Sequence, residues 1–237
     1  MPKLTDYLKS NPYPGRGVLL GAGNRENLAV LAYFIMGRSE NSRSRVFVKR
    51  GDDITILPHD PQKVADPSLV IYSPVRTVGN TVVVTNGDQT DTVREFLLRG
   101  ESFEAALGTR CFEPDAPNFT PRVSGVLQMG EEGFSYTLSI LKAADANGKA
   151  CRRQYFHYEP LMGRGHLIHT YAGDGAPLPP FAGEPAEFAL CGPIDGFARE
   201  MWEALDPNNK VALYVRYTDT QTGAYEERIL NRHELLG

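Results

Sequence analysis

Ten residues of this chain, Glu113 to Arg122 (EPDAPNFTPR), hold two carboxylates, a hydroxyl, an amide and a guanidinium between three prolines. Carboxylates can take up a proton or place a water, and a guanidinium can stabilise negative charge. Proline fixes φ and gives up its amide hydrogen, so the stretch reads as a stiffened loop, not a helix or a central strand. Polar residues on a positionally fixed loop are stronger site candidates than residues of a core.

Two further polar segments interrupt strand-like sequence, GRSENSRSR at 37–45 and NGDQTDT at 86–92. Three such loops in one half of the chain point to a shared pocket. The first belongs to a basic stretch in which Arg38, Arg43, Arg45, Lys49 and Arg50 face Glu40 alone. It reads either as a solvated strand edge guarded by cations or as a site for one small anion such as phosphate. The second begins where a strand gives way to a helix. Asn86 and Gly87 tolerate unusual dihedrals there, and the helix start offers free amide donors to an anion or polar ligand. The plainer reading is capping by Asp88, Thr90 and Asp91. Tyr72 ends an apolar run just before Pro74, and a core tyrosine in that place needs a partner for its hydroxyl.

Other motifs carry less. His166 and His169 stand in GHLIHTY, which is strand-like, and strand positions three apart point to opposite faces, so the pair is a poor metal site. GVLLGAG at 17–23 is followed by a strand, unlike a dinucleotide fingerprint. Cys111, Cys151 and Cys191 form an odd set without C-x-x-C spacing, which argues for reduced thiols over a disulfide framework or zinc.

The elements that must position these groups are mostly strands. Apolar, β-branched runs bounded by Gly, Asn, Asp or Pro predict strands at 17–21, 28–36, 45–49, 54–57, 68–72 and 81–85. Gly79-Asn80 reads as a tight hairpin turn. A helix capped by Asp88 or Thr90 runs toward Arg99, and Ser102 caps a shorter one. Strands resume at 123–128, 134–141 and 151–158, with Asn147-Gly148 turning the chain between the last two. Ile194, Phe197, Met201 and Leu205 repeat at helical spacing over 194–205. Strands at 211–217 and 225–230 flank a Thr222-Gly223 turn, and residues 1–13 read as a polar lead-in. Adjacent, turn-linked strands imply antiparallel sheets, and helices in separate blocks favour an α+β fold layered α-β-β-α.

The 237 residues, 41% of them hydrophobic, are enough for one sizeable core. A net charge of −4 argues against a general nucleic-acid binder. The longest uncharged apolar run, Leu28 to Met36, is far short of a bilayer span of ~20 residues. The chain start lacks the apolar stretch of a signal peptide, so a cytoplasmic location is expected.

Taken in order, GRSENSRSRVF, YSPVR at 72–76, VTNGDQTDT and EPDAPNFTPR resemble the archaeal-type IMP cyclohydrolase family. Likeness to the archaeal members is concentrated between about Pro14 and Gly125. Bacterial members look similar over nearly the whole chain, including GHLIHTYAGDG and PLPPFAGEPAEF, so the bacterial branch is the better fit.

The resemblance implies closure of 5-formamidoimidazole-4-carboxamide ribotide to inosine monophosphate with loss of water, the last step of purine synthesis. It implies the layered fold of the N-terminal-nucleophile hydrolases, as one domain over 1–237 with residues 1–13 as an extension. The family's functional arginine, tyrosine and glutamate fall on Arg43, Tyr72 and Glu113, and substrate contacts are expected from Arg38, Asn86, Gly87, Asp88, Asp115, Thr120 and Arg122. The expected partners are the phosphorylated ribotide and inosine monophosphate, with no nucleic acid and no membrane, and a homo-oligomer is expected. The chemistry fits those residues independently. A carboxamide nitrogen attacks a formamide carbon held on the same ring, the formyl oxygen gains charge, and the nitrogen loses a proton. No redox step or group transfer occurs, so neither cofactor nor metal is required. Which of Tyr72 and Glu113 handles which proton stays open. A true N-terminal nucleophile would need Cys, Ser or Thr near Pro14–Gly17, and none is there. A non-catalytic ribotide-binding protein is the remaining alternative.

Overall fold

The computed structural model describes residues 1–60, 72–131 and 133–234. The fold is α+β, with two antiparallel sheets and few helices. The first sheet contains β1 (Arg16–Ala22), β2 (Leu28–Met36), β10 (Arg164–His169), β11 (Ala186–Ala189), β12 (Lys210–Asp219) and β13 (Tyr225–Asn231), in the order β11-β10-β1-β2-β12-β13. The second runs β3-β4-β5-β6-β7-β8-β9, from β3 (Arg45–Arg50), β4 (Asp53–Pro58), β5 (Val75–Val78) and β6 (Thr81–Thr85) to β7 (Arg122–Gly130), β8 (Gly133–Ala143) and β9 (Cys151–Tyr158).

β2 shows why its sequence lacks alternation. Leu31, Tyr33 and Ile35 point into the core shared with Val82, Val84 and Leu138 of the second sheet. Val30, Ala32 and Phe34 point the other way, into a core completed by two helices, α1 (Leu4–Ser10) and α5 (Ile194–Ala204). A strand covered on both faces has no polar side to show. On the outer face of the second sheet, Val83, Val126 and Leu141 pack with Val93 of α3 (Gln89–Leu98) and with Phe103 and Leu107 of α4 (Phe103–Gly108).

The turns predicted at Gly79-Asn80, Asn147-Gly148 and Thr222-Gly223 all form, and each glycine has a positive φ. The Ser102 cap also forms, accepting the Ala105 amide. The structure corrects three expectations and adds two strands. Residues 1–13 contain α1, which buries Leu4 and Leu8 against the first sheet's helical layer. The polar stretch 37–45 contains a one-turn helix, α2 (Glu40–Arg43), closed by a Ser39–Ser42 capping box. Asp88 makes no side-chain cap, because its carboxylate is taken by arginines. The strand after Pro74 is β5, unforeseen, as is the edge strand β11. The strand expected at 68–72 lies outside the described residues except for Tyr72, which is in no strand. His166 and His169 do face opposite ways: one meets Tyr136 between the sheets, the other Tyr7 of α1.

Candidate active site

Glu113 is 3% exposed in a loop tied down from within. Its amide donates to the Thr120 carbonyl at 2.9 Å, while the Asp115 carboxylate accepts from the Thr120 amide and hydroxyl. Thr120 Oγ1 also meets the Tyr171 hydroxyl at 2.6 Å, which joins this loop to the end of β10. Burial pushes the Glu113 carboxyl above the usual carboxylate range, against the pull of Arg16 and Arg122.

Tyr72 is anchored at the edge of β4, where its carbonyl accepts the Ile56 amide. Its buried hydroxyl meets that of Tyr33 at 2.7 Å. Burial raises the Tyr72 pKa, although Arg16 and Arg45 pull it down. The hydroxyl therefore keeps its proton at neutral pH. Tyr33, in the middle of β2, is raised further by burial and by Tyr72.

Two strand heads supply the cations of this set. Arg45 opens β3 at 1% exposure; its Nε donates to the Ser42 carbonyl at 2.7 Å and its Nη2 to the Met36 carbonyl at 3.3 Å. Burial and the neighbouring Arg16 lower its pKa. Arg16 opens β1, its amide bonded to Thr170 Oγ1. Burial works against its charge, but Glu113, Tyr171, Tyr72 and Tyr13 outweigh it and hold the pKa well above the ordinary value. Arg16 Nε and Arg45 Nη1 are enclosed and find no hydrogen-bond partner among the described residues. Enclosed donors of this kind are costly unless an acceptor arrives.

The loop at 86–92 serves the set by gripping Arg122. Arg122 Nη1 donates to Asp88 at 2.7 Å and to Gln89 at 2.5 Å. Asp88 also binds Arg110, and these two arginines hold its carboxyl low despite partial burial. Asn86 bridges the Pro121 carbonyl and the Val123 amide at 2.9 Å each. A Cβ on Gly87 would stand 2.5 Å from Arg122 Nη1, so a larger residue there would displace the tip of the guanidinium.

Of the residues singled out by sequence, the fold brings Tyr72 and Glu113 into one electrostatic set. It places Asn86, Gly87, Asp88, Asp115, Thr120 and Arg122 in the scaffold around Glu113. Arg38 is exposed, over the Tyr13 ring at 5.2 Å and paired with Asp174 at 2.7 Å. Arg43 stands apart. Its guanidinium binds the carbonyls of Gly37 and Arg38, and it lines a different surface pocket with His59 and Arg232. Sequence reasoning missed Arg16, Tyr33, Tyr13 and Tyr171, and counted Arg45 only within the basic stretch. A usable signal was present: Arg16 and Arg45 each head an apolar strand, where a cation has no reason to be buried for packing alone.

Comparison with known proteins matches residues 13–222 to the family described as IMP cyclohydrolase-like protein. Among curated relatives, IMP cyclohydrolase of Methanopyrus kandleri is 29% identical over 172 residues, covering 70% of this chain and 78% of the relative. That of Methanococcus maripaludis strain S2 is 30% identical over 170 residues, covering 69% and 83%. That of Methanococcus aeolicus is 29% identical over 128 residues, covering 52% of this chain and 62% of the relative.

Proposed function

Because this chain belongs to the IMP cyclohydrolase-like family, we propose that it closes 5-formamidoimidazole-4-carboxamide ribotide into inosine monophosphate with loss of water. The observation that carries the reading is the buried set in which Tyr72 and Glu113 share two guanidinium groups with donors to spare. In this reading the carboxamide nitrogen attacks the formyl carbon and hands a proton to Glu113. A carboxyl raised by burial is a better proton acceptor near neutrality than an exposed one. Tyr72, kept protonated and backed by Tyr33, donates a hydrogen bond to the formyl oxygen as its charge grows. Arg16 Nε and Arg45 Nη1 complete the oxyanion's partners. Glu113 then returns its proton, and the oxygen leaves as water carrying one proton from each nitrogen.

The exposed Arg38 is proposed to meet the ribotide phosphate. Arg43 is proposed to act on Arg38 through the Gly37–Arg38 turn that it braces. Asp88 and Asn86 are given the role of positioning Arg122, as Asp115 and Thr120 position Glu113. The residues present ask for no metal or cofactor in any of these steps.

The finer architecture belongs to the same proposal: a four-layered α-β-β-α sandwich of the N-terminal-nucleophile-hydrolase kind, in a single domain over 1–237 with 1–13 as an extension. The separate cores on the two outer faces and between the sheets support it. No helix among the described residues is long and apolar enough to cross a membrane. The reading adds a cytoplasmic, homo-oligomeric enzyme, and sedimentation of the purified protein tests the assembly. The deciding experiment for function incubates purified protein with the formylated ribotide and follows inosine monophosphate by chromatography. Ribotide bound without product would favour a non-catalytic binding protein.

A further inference from the structure

Between β10 and β11 the chain forms a strap that lies against the loop carrying Glu113. Its foot is closed by two backbone bonds of 2.9 Å each, from the Phe181 amide to the Thr170 carbonyl and from the Ala172 amide to the Pro179 carbonyl. The buried Lys142 of β8 ties that foot to the second sheet, its Nζ donating to the Phe181 carbonyl at 2.7 Å. Further out, Leu178 is buried in the core with α1 and α5, and its amide donates to Asn118 Oδ1 at 3.0 Å. Asn118 belongs to the Glu113 loop, as does Thr120, whose hydroxyl meets that of Tyr171.

The tip of the strap, residues 173–175, is held in another way. Arg38 Nη1 donates to Asp174 Oδ1 at 2.7 Å and to the Gly175 carbonyl at 2.8 Å. Asp174 Oδ1 also accepts the Gly175 amide at 2.9 Å, which keeps the tip turned onto the arginine. Arg38 is part of the same structure at its other side, because the Tyr13 ring beneath its guanidinium stacks on Tyr171 at 5.8 Å. Both members of the ion pair are open to solvent, with side chains 38% and 53% exposed. Such a pair is weak, and a guanidinium binds phosphate oxygens with the same fork that it offers a carboxylate.

We propose that Asp174 occupies at Arg38 the place of the ribotide phosphate, and that the arriving phosphate displaces it and frees the tip of the strap. The proposal rests on the phosphate contact assigned to Arg38. The phosphate dianion carries more charge than the carboxylate, so the exchange favours the ligand. Asp174 stands between two glycines, which lets the tip turn outward while Leu178 and the Lys142 contact keep the foot in place. A tethered competitor weakens the hold on substrate and product alike, which speeds product release at the expense of affinity.

The test follows amide exchange over 172–178 of the full chain with inosine monophosphate, with inorganic phosphate and with inosine. Both phosphate-bearing ligands should speed exchange at 173–176, and inosine should not. Asp174→Asn keeps the shape and drops the charge, and it should bind both phosphates roughly two- to five-fold more tightly, the range that exposed ion pairs allow. Arg38→Met should show the faster exchange with no ligand and no further response to phosphate. Unchanged or weaker binding by Asp174→Asn would overturn the proposal. So would a tip that inosine moves as much as its monophosphate does, or one that neither phosphate frees. A wild-type chain whose tip responds to phosphate but which never turns over the formylated ribotide would count against the ribotide reading alone.

Discussion

Replacing Tyr72 by Phe removes one oxygen and leaves the ring in its packing, so the variant isolates what the hydroxyl does. In the proposed mechanism its loss takes the donor from the formyl oxygen, and it leaves the Tyr33 hydroxyl without its partner. Turnover should fall by about 10²- to 10⁴-fold, the usual range for a proton-handling group, with inosine monophosphate still bound. Folded Tyr72→Phe protein turning over at the wild-type rate would return this residue to the core. Glu113 and Arg16 are coupled, because the Arg16 charge is the largest influence holding the Glu113 carboxyl down against burial. Arg16→Gln should therefore act twice. Loss of a charge-assisted contact of about 1.5–3 kcal/mol lowers kcat/KM roughly 10- to 150-fold. The Glu113 pKa also rises, which moves the acid limb of the pH–rate profile to higher pH if the ionised carboxylate is the acceptor. An unshifted limb in Arg16→Gln, with Glu113→Gln inactive, would separate the two groups.

Among the elements, α1 has the least support from its own sequence. Seven residues are too few for a stable isolated helix, and Lys3 caps it without a side-chain bond. What holds it is Leu8, 1% exposed in the core with α5, and the Tyr7 hydroxyl on His169. Leu8→Ala should cost about 2–5 kcal/mol, as buried leucine deletions do, if α1 is integral to the first sheet's outer layer. Chemical denaturation measures this directly, and a loss under about 0.5 kcal/mol, the size of an ordinary surface change, would make α1 an ornament. Turnover per folded molecule should be unchanged, since α1 stands behind the sheet that carries Arg16 and Tyr33.

For the whole molecule, His169 ties stability to pH. Its Nδ1–H donates to the Tyr171 carbonyl at 2.9 Å and its Nε2 accepts from Tyr7, which requires the neutral ring. Burial lowers its pKa to about 4. Above about pH 6.5, the unfolded value, the ring is neutral whether the chain is folded or not, and its contribution is complete. As pH falls from there toward 4, the unfolded chain takes up a proton that the folded one refuses, and stability drops by roughly 3 kcal/mol. His166, lowered by burial between the sheets, acts in the same direction, while the raised Glu113 carboxyl opposes it. His169→Gln should be less stable at pH 7.5 and show a shallower loss between pH 6.5 and 4.5. Parallel unfolding curves for the two proteins across that range would exclude His169 as the source.

Most of the strands and the three glycine turns were legible in the sequence by itself, and Tyr72 and Glu113 were named there as site candidates. The strands and turns obey local rules: side chains alternate along a strand, and a positive φ in a tight turn selects glycine. It was the family resemblance that singled out Tyr72 and Glu113, in segments where polar groups beside prolines interrupt apolar runs. The tertiary structure alone decided which cations accompany them. β1 and β3 belong to different sheets, yet their first residues, Arg16 and Arg45, both act on Tyr72. Spacing along the chain carries no trace of that meeting, since Coulomb energy and desolvation depend on separations between elements. Asp88 illustrates the same limit. Its position before a helix reads as a cap, but Arg110 and Arg122 arrive through the fold and offer a carboxylate stronger, charge-assisted partners than a backbone amide does.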